Sequence, residues 1–309
     1  MSDHGTAPKA DTAALKRRLG RIGVWLGTAL STTTAADNRR AAAEVERLGY
    51  GSLWTGGDAA GGKEAFTQAA LLLSATDRIT VATGIASIWS RDGIAATAGA
   101  DGLNDASAGR FLLGLGVSHS PLVAARGQTY AKPYSAMRDY LATMDSVAYP
   151  APLDEPAPVV LAALRHRMLE LARDRTSGAH PYFTPAEHTA KARGILGPGP
   201  LLAPEVAVVL DSDPDRARHA ARGYMAVYLA LPNYTNNLRD LGWTDADFAD
   251  GGSDALVDAL IPWGDPDTIA AGVRAHHDAG ADHVCVQPIA PTLDDQLSAL
   301  TALAPVLLH

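Results

Sequence analysis

Phe111-Leu112-Leu113-Gly114-Leu115-Gly116 is the stretch on which the fold turns. The run is short, apolar throughout and shows no polar alternation, which is how a strand buried on both faces reads. Its two glycines then need a reason. They either relieve crowding inside a barrel or let the backbone approach a flat ring closely, and spacing alone leaves both open. Immediately after the run come Val117-Ser118-His119-Ser120, small and polar where a strand would end.

Working outward, the same kind of segment recurs with helical stretches between. Strands are expected at 21–26, 52–55 and 79–86 before this one, and at 159–162, 179–183, 206–210 and 283–287 after it. Helices are expected at 35–48, stopped by Gly49, and at 64–76, 92–107, 134–147, 168–174, 216–229, 254–261, 268–279 and 294–303. Asp213 followed by Pro214 reads as the cap and first position of the 216–229 helix. Eight strands alternating with helices imply an α/β fold with parallel strands, and eight close into a (β/α)8 barrel. A doubly wound open sheet would carry phosphate-binding glycines after its first strand, where this chain has Gly27-Thr28-Ala29-Leu30. The expected organisation is a flexible tail over 1–20, with a helical turn or two at 12–19, and a single barrel over 21–309. Longer insertions follow strand four (118–158, ending in a proline-rich run) and strand seven, where 232–253 reads as irregular.

The composition narrows the function. With 309 residues and 47% hydrophobic side chains the chain can bury a large core, and a net charge of −8 argues against a nucleic-acid surface. Cys285 is the single cysteine, so no internal disulfide forms, and a buried reduced thiol is expected. No apolar run approaches a membrane span, and residues 1–20 lack the apolar core of a signal peptide. A cytoplasmic enzyme acting on a small molecule, with no nucleic-acid or membrane partner, is the expectation.

Several attractive motifs fail. Asp211-Ser212-Asp213-Pro214-Asp215 starts like a calcium loop, but Arg216 stands where such a loop needs glycine and Arg222 where it needs glutamate. His276 and His277 are adjacent and point about 100° apart on a helix, so they cannot share a metal. No metal site is expected. What remains is a ring of strand ends, where a barrel keeps its active site. These positions are Thr28, Gly56-Gly57-Asp58, Thr83-Gly84-Ile85 with Ser87, Val117-Ser118-His119-Ser120, Leu164-Arg165-His166-Arg167, and His180 with Tyr182. The segment from Leu164 to Arg167 follows an apolar strand and opens a helix. Free backbone N–H groups, the helix dipole and two arginines favour an anion there, a phosphate being the natural one; two solvated arginines are the alternative.

At this point the chain resembles a known family. Ala108-Gly109-Arg110-Phe111-Leu112-Leu113-Gly114-Leu115-Gly116-Val117-Ser118-His119 is similar to the signature of luciferase-like monooxygenases and their deazaflavin-dependent relatives. Gly49-Tyr50-Gly51-Ser52-Leu53-Trp54, Thr83-Gly84-Ile85, the block 160–172 and Ala279-Gly280-Ala281-Asp282-His283 match in register, so the resemblance covers roughly residues 20–309. Segments 178–189 and 231–237 resemble the actinobacterial coenzyme F420-dependent branch.

The resemblance implies a TIM barrel of the bacterial-luciferase type with coenzyme F420 across its mouth, FMN being the alternative cofactor. Thr83, Gly84, Ile85 and Ser87 would buttress the ring, with a cis peptide at Gly84-Ile85. Val117 and Ser118 would lie beside it, and Leu164, Arg165, His166, Arg167 and Met168 would take the phosphate. His119 or His180 would assist proton transfer, while Gly57, Trp89, Tyr130 and Tyr182, with Tyr234 and Trp243, would shape the substrate space. A homodimer is implied. One departure stands out: sugar-phosphate dehydrogenases of this family carry an Asp-His pair after strand two, and Thr55-Gly56-Gly57-Asp58 has no histidine. Three functions are therefore weighed: F420-dependent hydride transfer, an FMN monooxygenase fed by a separate reductase, and a barrel that binds cofactor without turnover.

Overall fold

A computed structural model describes residues 11–58 and 62–308. Its strands are β1 (Ile22–Trp25), β2 (Ser52–Thr55), β3 (Thr80–Thr83), β4 (Phe111–Gly116), β5 (Val159–Leu161), β6 (Gly178–Ala179), β7 (two collinear runs, Leu201–Leu202 and Glu205–Val208) and β8 (Val284–Pro288). Neighbours pair in parallel in chain order, and β8 pairs with β1 through Ile22↔Val284. A further short strand, Ala86–Ser87, continues beyond β3 along β4. The circle closes at β7. On one side Leu201, Ala203 and Glu205 donate N–H groups to Ser177, Ala179 and Pro181; on the other, Asp282 and Cys285 donate to Leu202 and Pro204. β7 is interrupted where Pro204 has no N–H to give.

Neighbouring residues take opposite sides of the wall. Trp54, Ala82, Leu112, Val160 and Cys285 pack together inside the barrel, while Leu53, Val81, Leu113, Leu161 and Val286 face the surrounding helices. Every one of these ten side chains is fully buried, which is why the strands read as unbroken apolar runs. The crowding explanation holds for Gly114: a Cβ there would lie 1.9 Å from the Thr83 carbonyl oxygen.

Two expectations need correction. Residues 11–20 do not form a loose tail. The helix Thr12–Leu19, capped by Asp11, buries Leu15 and Leu19 among the interior side chains and closes the bottom of the barrel; residues 1–10 lie outside the described residues. The stretch 232–253 is largely helical, with helices Pro232–Arg239 and Asp245–Phe248. Its apolar residues are spaced irregularly because the first helix buries Thr235 and Asn237 as well as Leu238. A helix at Ala186–Leu196 was not read from the sequence for a similar reason, since its buried face includes His188 and Thr189. The aspartates at 211–215 cap a helix: Asp213 accepts the Arg216 N–H at 3.0 Å, and the Arg216 side chain clamps Asp211 and Asp213. Cys285 is buried and unpaired.

Gly114→Ala should destabilise the protein by about 1–3 kcal/mol, because the added methyl meets backbone that cannot rotate away. Urea unfolding of the variant checks this; an unchanged midpoint would mean that β3 and β4 can separate freely.

Candidate active site

The C-terminal ends of the strands enclose a cavity of about 820 Å³, within the range of small-molecule and cofactor sites. Three strand ends place a non-glycine residue in the left-handed region on or beside it: Asp58 (φ 63°) after β2, Ser118 (φ 57°) after β4 and Phe183 (φ 57°) after β6. Such backbone persists only where surrounding contacts over-determine it. At Asp58 those contacts are the N–H groups of Ala65 and Ser87 and the Arg91 guanidinium on its carboxylate, with Arg126 on its carbonyl oxygen.

The floor is built from Trp25, Gly84, Ile85, Gly116, Ala162 and His180. The Gly84-Ile85 peptide is cis, as the resemblance implied. The Trp25 indole N–H donates to the Gly84 carbonyl at 3.0 Å. Any Cβ at Gly84 would lie 2.7 Å from Trp25 Nε1 and 3.0 Å from His180 Nε2, and at Gly116 2.6 Å from the Ile85 side chain. His180 donates Nδ1–H to the Ala203 carbonyl at 2.7 Å, which fixes the tautomer and leaves Nε2 as a buried acceptor without a partner. The ring stacks on Trp54 at 4.3 Å. Burial pushes the His180 imidazole down to about 4, so at neutral pH it offers a lone pair and not a proton. His119 is half-buried beside Tyr234, and burial lowers it as well.

Most of the sequence-derived residues converge here: Gly57, Gly84, Ile85, Ser87, Val117, Ser118, His119, Tyr130, Leu164, Arg165, His166, Arg167, Met168, His180 and Tyr182 all line the cavity. Thr83 does not. Its hydroxyl is consumed by the carbonyl and amide of Gly114. Trp89 also stands behind the wall, donating to the Val117 carbonyl and packing on Tyr130, and Trp243 is absent from the lining. Sequence reasoning missed Trp25, Lys63, Lys191, Tyr228 and Asp240. Trp25 is the last residue but one of the strand expected at 21–26 and could have been found there; Tyr228 lies one helical turn after Tyr224, a spacing that marks a shared face.

At the opposite end, the helix His166–Arg175 points its N-terminus at the cavity, and its cap residue Arg165 contributes no side-chain cap. Arg165 pairs with Asp240 at 3.1 Å, Arg167 stacks over Tyr134 at 4.2 Å, and Lys191 completes a cationic rim. Lys63, by contrast, is satisfied by the Leu30 and Thr33 carbonyls and the Asn38 side chain. No cluster of metal-binding side chains occurs among the described residues, and no helix of these residues is long and apolar enough to cross a membrane.

This barrel, with its glycine-lined floor and cationic rim, agrees with the comparison by sequence pattern, in which the luciferase-like monooxygenase family matches residues 19–283. The chain belongs to that family. A Mycobacterium tuberculosis protein named "Putative coenzyme F420-dependent oxidoreductase Rv3520c" is 30% identical over 152 residues, which is 48% of this chain and 41% of that protein's length. Among solved structures, the coenzyme F420-dependent tetrahydromethanopterin reductase of Methanopyrus kandleri superposes with a TM-score of 0.75 at 16% identity, covering 93% of this chain and 98% of that one. The oxygenating constituent of 3,6-diketocamphane monooxygenase from Pseudomonas putida, solved with FMN, gives 0.70 at 15% identity with the same coverage. Both deazaflavin and flavin enzymes therefore share this family member's fold.

The buried histidines set the pH response of the fold. His180, His188, His276 and His283 are each pushed down to about 4 by burial, against 6.5 ordinarily. Below 6.5 the unfolded chain takes up protons that the folded one refuses, so stability falls as pH drops toward 4. Glu205, pushed up to about 8 from 4.5 by burial, acts in the opposite sense and costs stability as pH rises between those values. Four protons outweigh one. Stability should peak near neutrality and fall on the acid side by up to ~3 kcal/mol for each histidine, as read from urea midpoints across that range. A flat profile would show that these imidazoles are not held neutral.

Proposed function

We propose that this family member is a coenzyme F420-dependent oxidoreductase that exchanges a hydride between the deazaflavin and a small organic substrate held in the barrel-mouth cavity. The observation that carries this reading is the convergence, in one cavity, of a glycine-lined apolar floor and a cationic helix N-terminus. A flat ring and a phosphate need those two environments at opposite ends of one site.

The residues fit the group. Gly84 and Gly116 have no room for a side chain, so backbone forms the surface on which a ring can lie. His180 Nε2 is a buried acceptor that still lacks a donor. Ile85, Val117 and Ser118 would flank the ring, and Arg165, His166, Arg167 and Met168 would hold the phosphate with backbone N–H groups and guanidinium charge. When bound, the deazaflavin supplies hydride acceptance and donation, while the protein orients the reactants and excludes water. His119 and Tyr228 both line the cavity and pack against Tyr234, each with ring centroids 5.3 Å apart, and would face the substrate from that side. The strand-two histidine of the sugar-phosphate dehydrogenases has no counterpart at Gly56-Gly57, so a sugar phosphate is not proposed as the substrate.

Fluorescence titration of the purified protein with coenzyme F420 and with FMN tests the cofactor. Saturable binding of F420 is expected, weakened by about 1–3 kcal/mol in each of Arg165→Ala and Arg167→Ala. Tight FMN binding with negligible F420 binding would replace this reading with that of a flavin monooxygenase. Unchanged F420 affinity in both variants would show that the phosphate lies elsewhere.

A further inference from the structure

Behind the cavity wall lies a buried carboxyl to which the reading above gives no task. Glu205 opens the second run of β7, is 1% exposed, and sits in register with Cys285 of β8. Its Oε2 accepts the Phe183 N–H at 3.2 Å, and its Oε1 lies 3.4 Å from the Tyr224 hydroxyl. The Tyr224 hydroxyl is 3.0 Å from that of Tyr182, which is in turn 2.9 Å from the Tyr228 hydroxyl and 2.9 Å from Gln287 Oε1. Tyr182 and Tyr228 line the cavity; Glu205 and Tyr224 do not.

The row has a direction. The Tyr182 oxygen already has three polar neighbours, whereas among the described residues the Tyr228 hydroxyl has one and stands on the cavity wall. Tyr228 is therefore the end that can meet a ligand. The titratable groups facing the carboxyl are the phenols of Tyr182, Tyr224, Tyr228 and Tyr234 and the Cys285 thiol, all held protonated by burial. No Lys, Arg or His hydrogen-bonds or ion-pairs with Glu205 among the described residues. Without a cation to hold the charge, burial raises the carboxyl to about 8, and it keeps its proton at neutral pH.

We infer that Glu205, Tyr224, Tyr182 and Tyr228 form a proton relay that delivers a proton from the barrel interior to a ligand oxygen or nitrogen in the cavity. When Tyr228 gives up its proton it takes one from Tyr182, Tyr182 takes one from Tyr224, and Tyr224 takes one from Glu205. The ligand gains one proton, Glu205 becomes a carboxylate, and no phenol is left charged. Before and after transfer the single Tyr182 hydrogen lies along the row, toward Tyr228 and then toward Tyr224, so the Gln287 amide turns its N–H to the Tyr182 oxygen in both states. A reservoir that is full at neutral pH suits reduction of a carbonyl or imine, where hydride arrival at carbon is completed by a proton on the heteroatom. That substrate class rests on the hydride-transfer reading above, while the relay itself does not.

Infrared spectroscopy of the full-length protein without cofactor tests the relay. A protonated-carboxyl C=O band should be lost as pH rises, with a midpoint near 8, and should be missing in Glu205→Gln, which keeps an acceptor for the Phe183 N–H. On transfer to D2O the deuterium shift of this band should slow by about tenfold or more in Tyr224→Phe, because exchange must then await local opening. A loosened structure would speed the shift, so slowing cannot come from damage to packing. Absence of a titrating band, or equal exchange rates in wild type and Tyr224→Phe, overturns the relay. Loss of F420 binding with the infrared results intact would discard the cofactor reading and leave the relay standing.

Discussion

Inside the barrel, Trp54 lies between two histidines, and much of the architecture hangs on that arrangement. Its indole N–H donates to Ser52 Oγ at 2.8 Å, Ser52 reaches His283 Nε2 at 2.8 Å, and His283 Nδ1 donates to the Gly20 carbonyl at 2.9 Å. On its other side Trp54 stacks on His180, whose Nε2 faces Gly84 in the cavity floor. One continuous column thus runs from the bottom of the barrel to the active-site surface. Buried polar atoms in such a column are tolerated because nearly all are paired, and the exception, His180 Nε2, lies at the top.

The column explains the division of labour in the cavity. A ring lying on the floor would meet neutral dipoles and glycine backbone, whereas the far rim presents Arg165, Arg167 and Lys191. Charge is therefore concentrated where a phosphate would sit and withheld from where electrons would move. The side wall where the 214–239 helices meet Tyr182 and Phe183 is different again, an aromatic cluster with Tyr224, Tyr228 and Tyr234 in which the hydroxyls of Tyr182, Tyr224 and Tyr228 are joined.

Much of this was legible in the sequence. Most strands announce themselves because a parallel strand is buried on both faces, as Phe111–Gly116 illustrates, but the sixth shares only Ala179 with the expected 179–183 and the first run of β7, Leu201–Leu202, lies outside the expected ranges. Most strand-end residues converge on one cavity because barrel topology forces them to. What could not be read depends on contacts between distant segments. Thr83 looks like a cofactor contact, yet its hydroxyl is turned to Gly114, 31 residues away. His180 looks like a proton carrier, and only its enclosure by Trp54 and Ala203 reveals that it stays neutral. Lys63 sits in an unremarkable loop and is fixed by three oxygens from two other helices and their connection. Glu205 gives no signal at all beyond being a charged residue in an apolar run, and its meaning comes from Tyr224 and Tyr228 on the helix Pro214–Leu229 that follows it.

The helix Thr12–Leu19 has a consequence beyond shape. The family match begins at Leu19, so nearly all of this helix lies outside the common pattern, yet Leu15 and Leu19 are what separate the polar column from bulk solvent below. Water is the medium that would let the buried imidazoles charge. The helix therefore acts as a gasket on the dielectric environment of the whole interior, and a leak at Leu15 would be felt electrically at Gly84, at the opposite end of the barrel. A substitution at Leu15 or Leu19 would thus tune the cavity floor from its far side without altering a residue that lines the cavity.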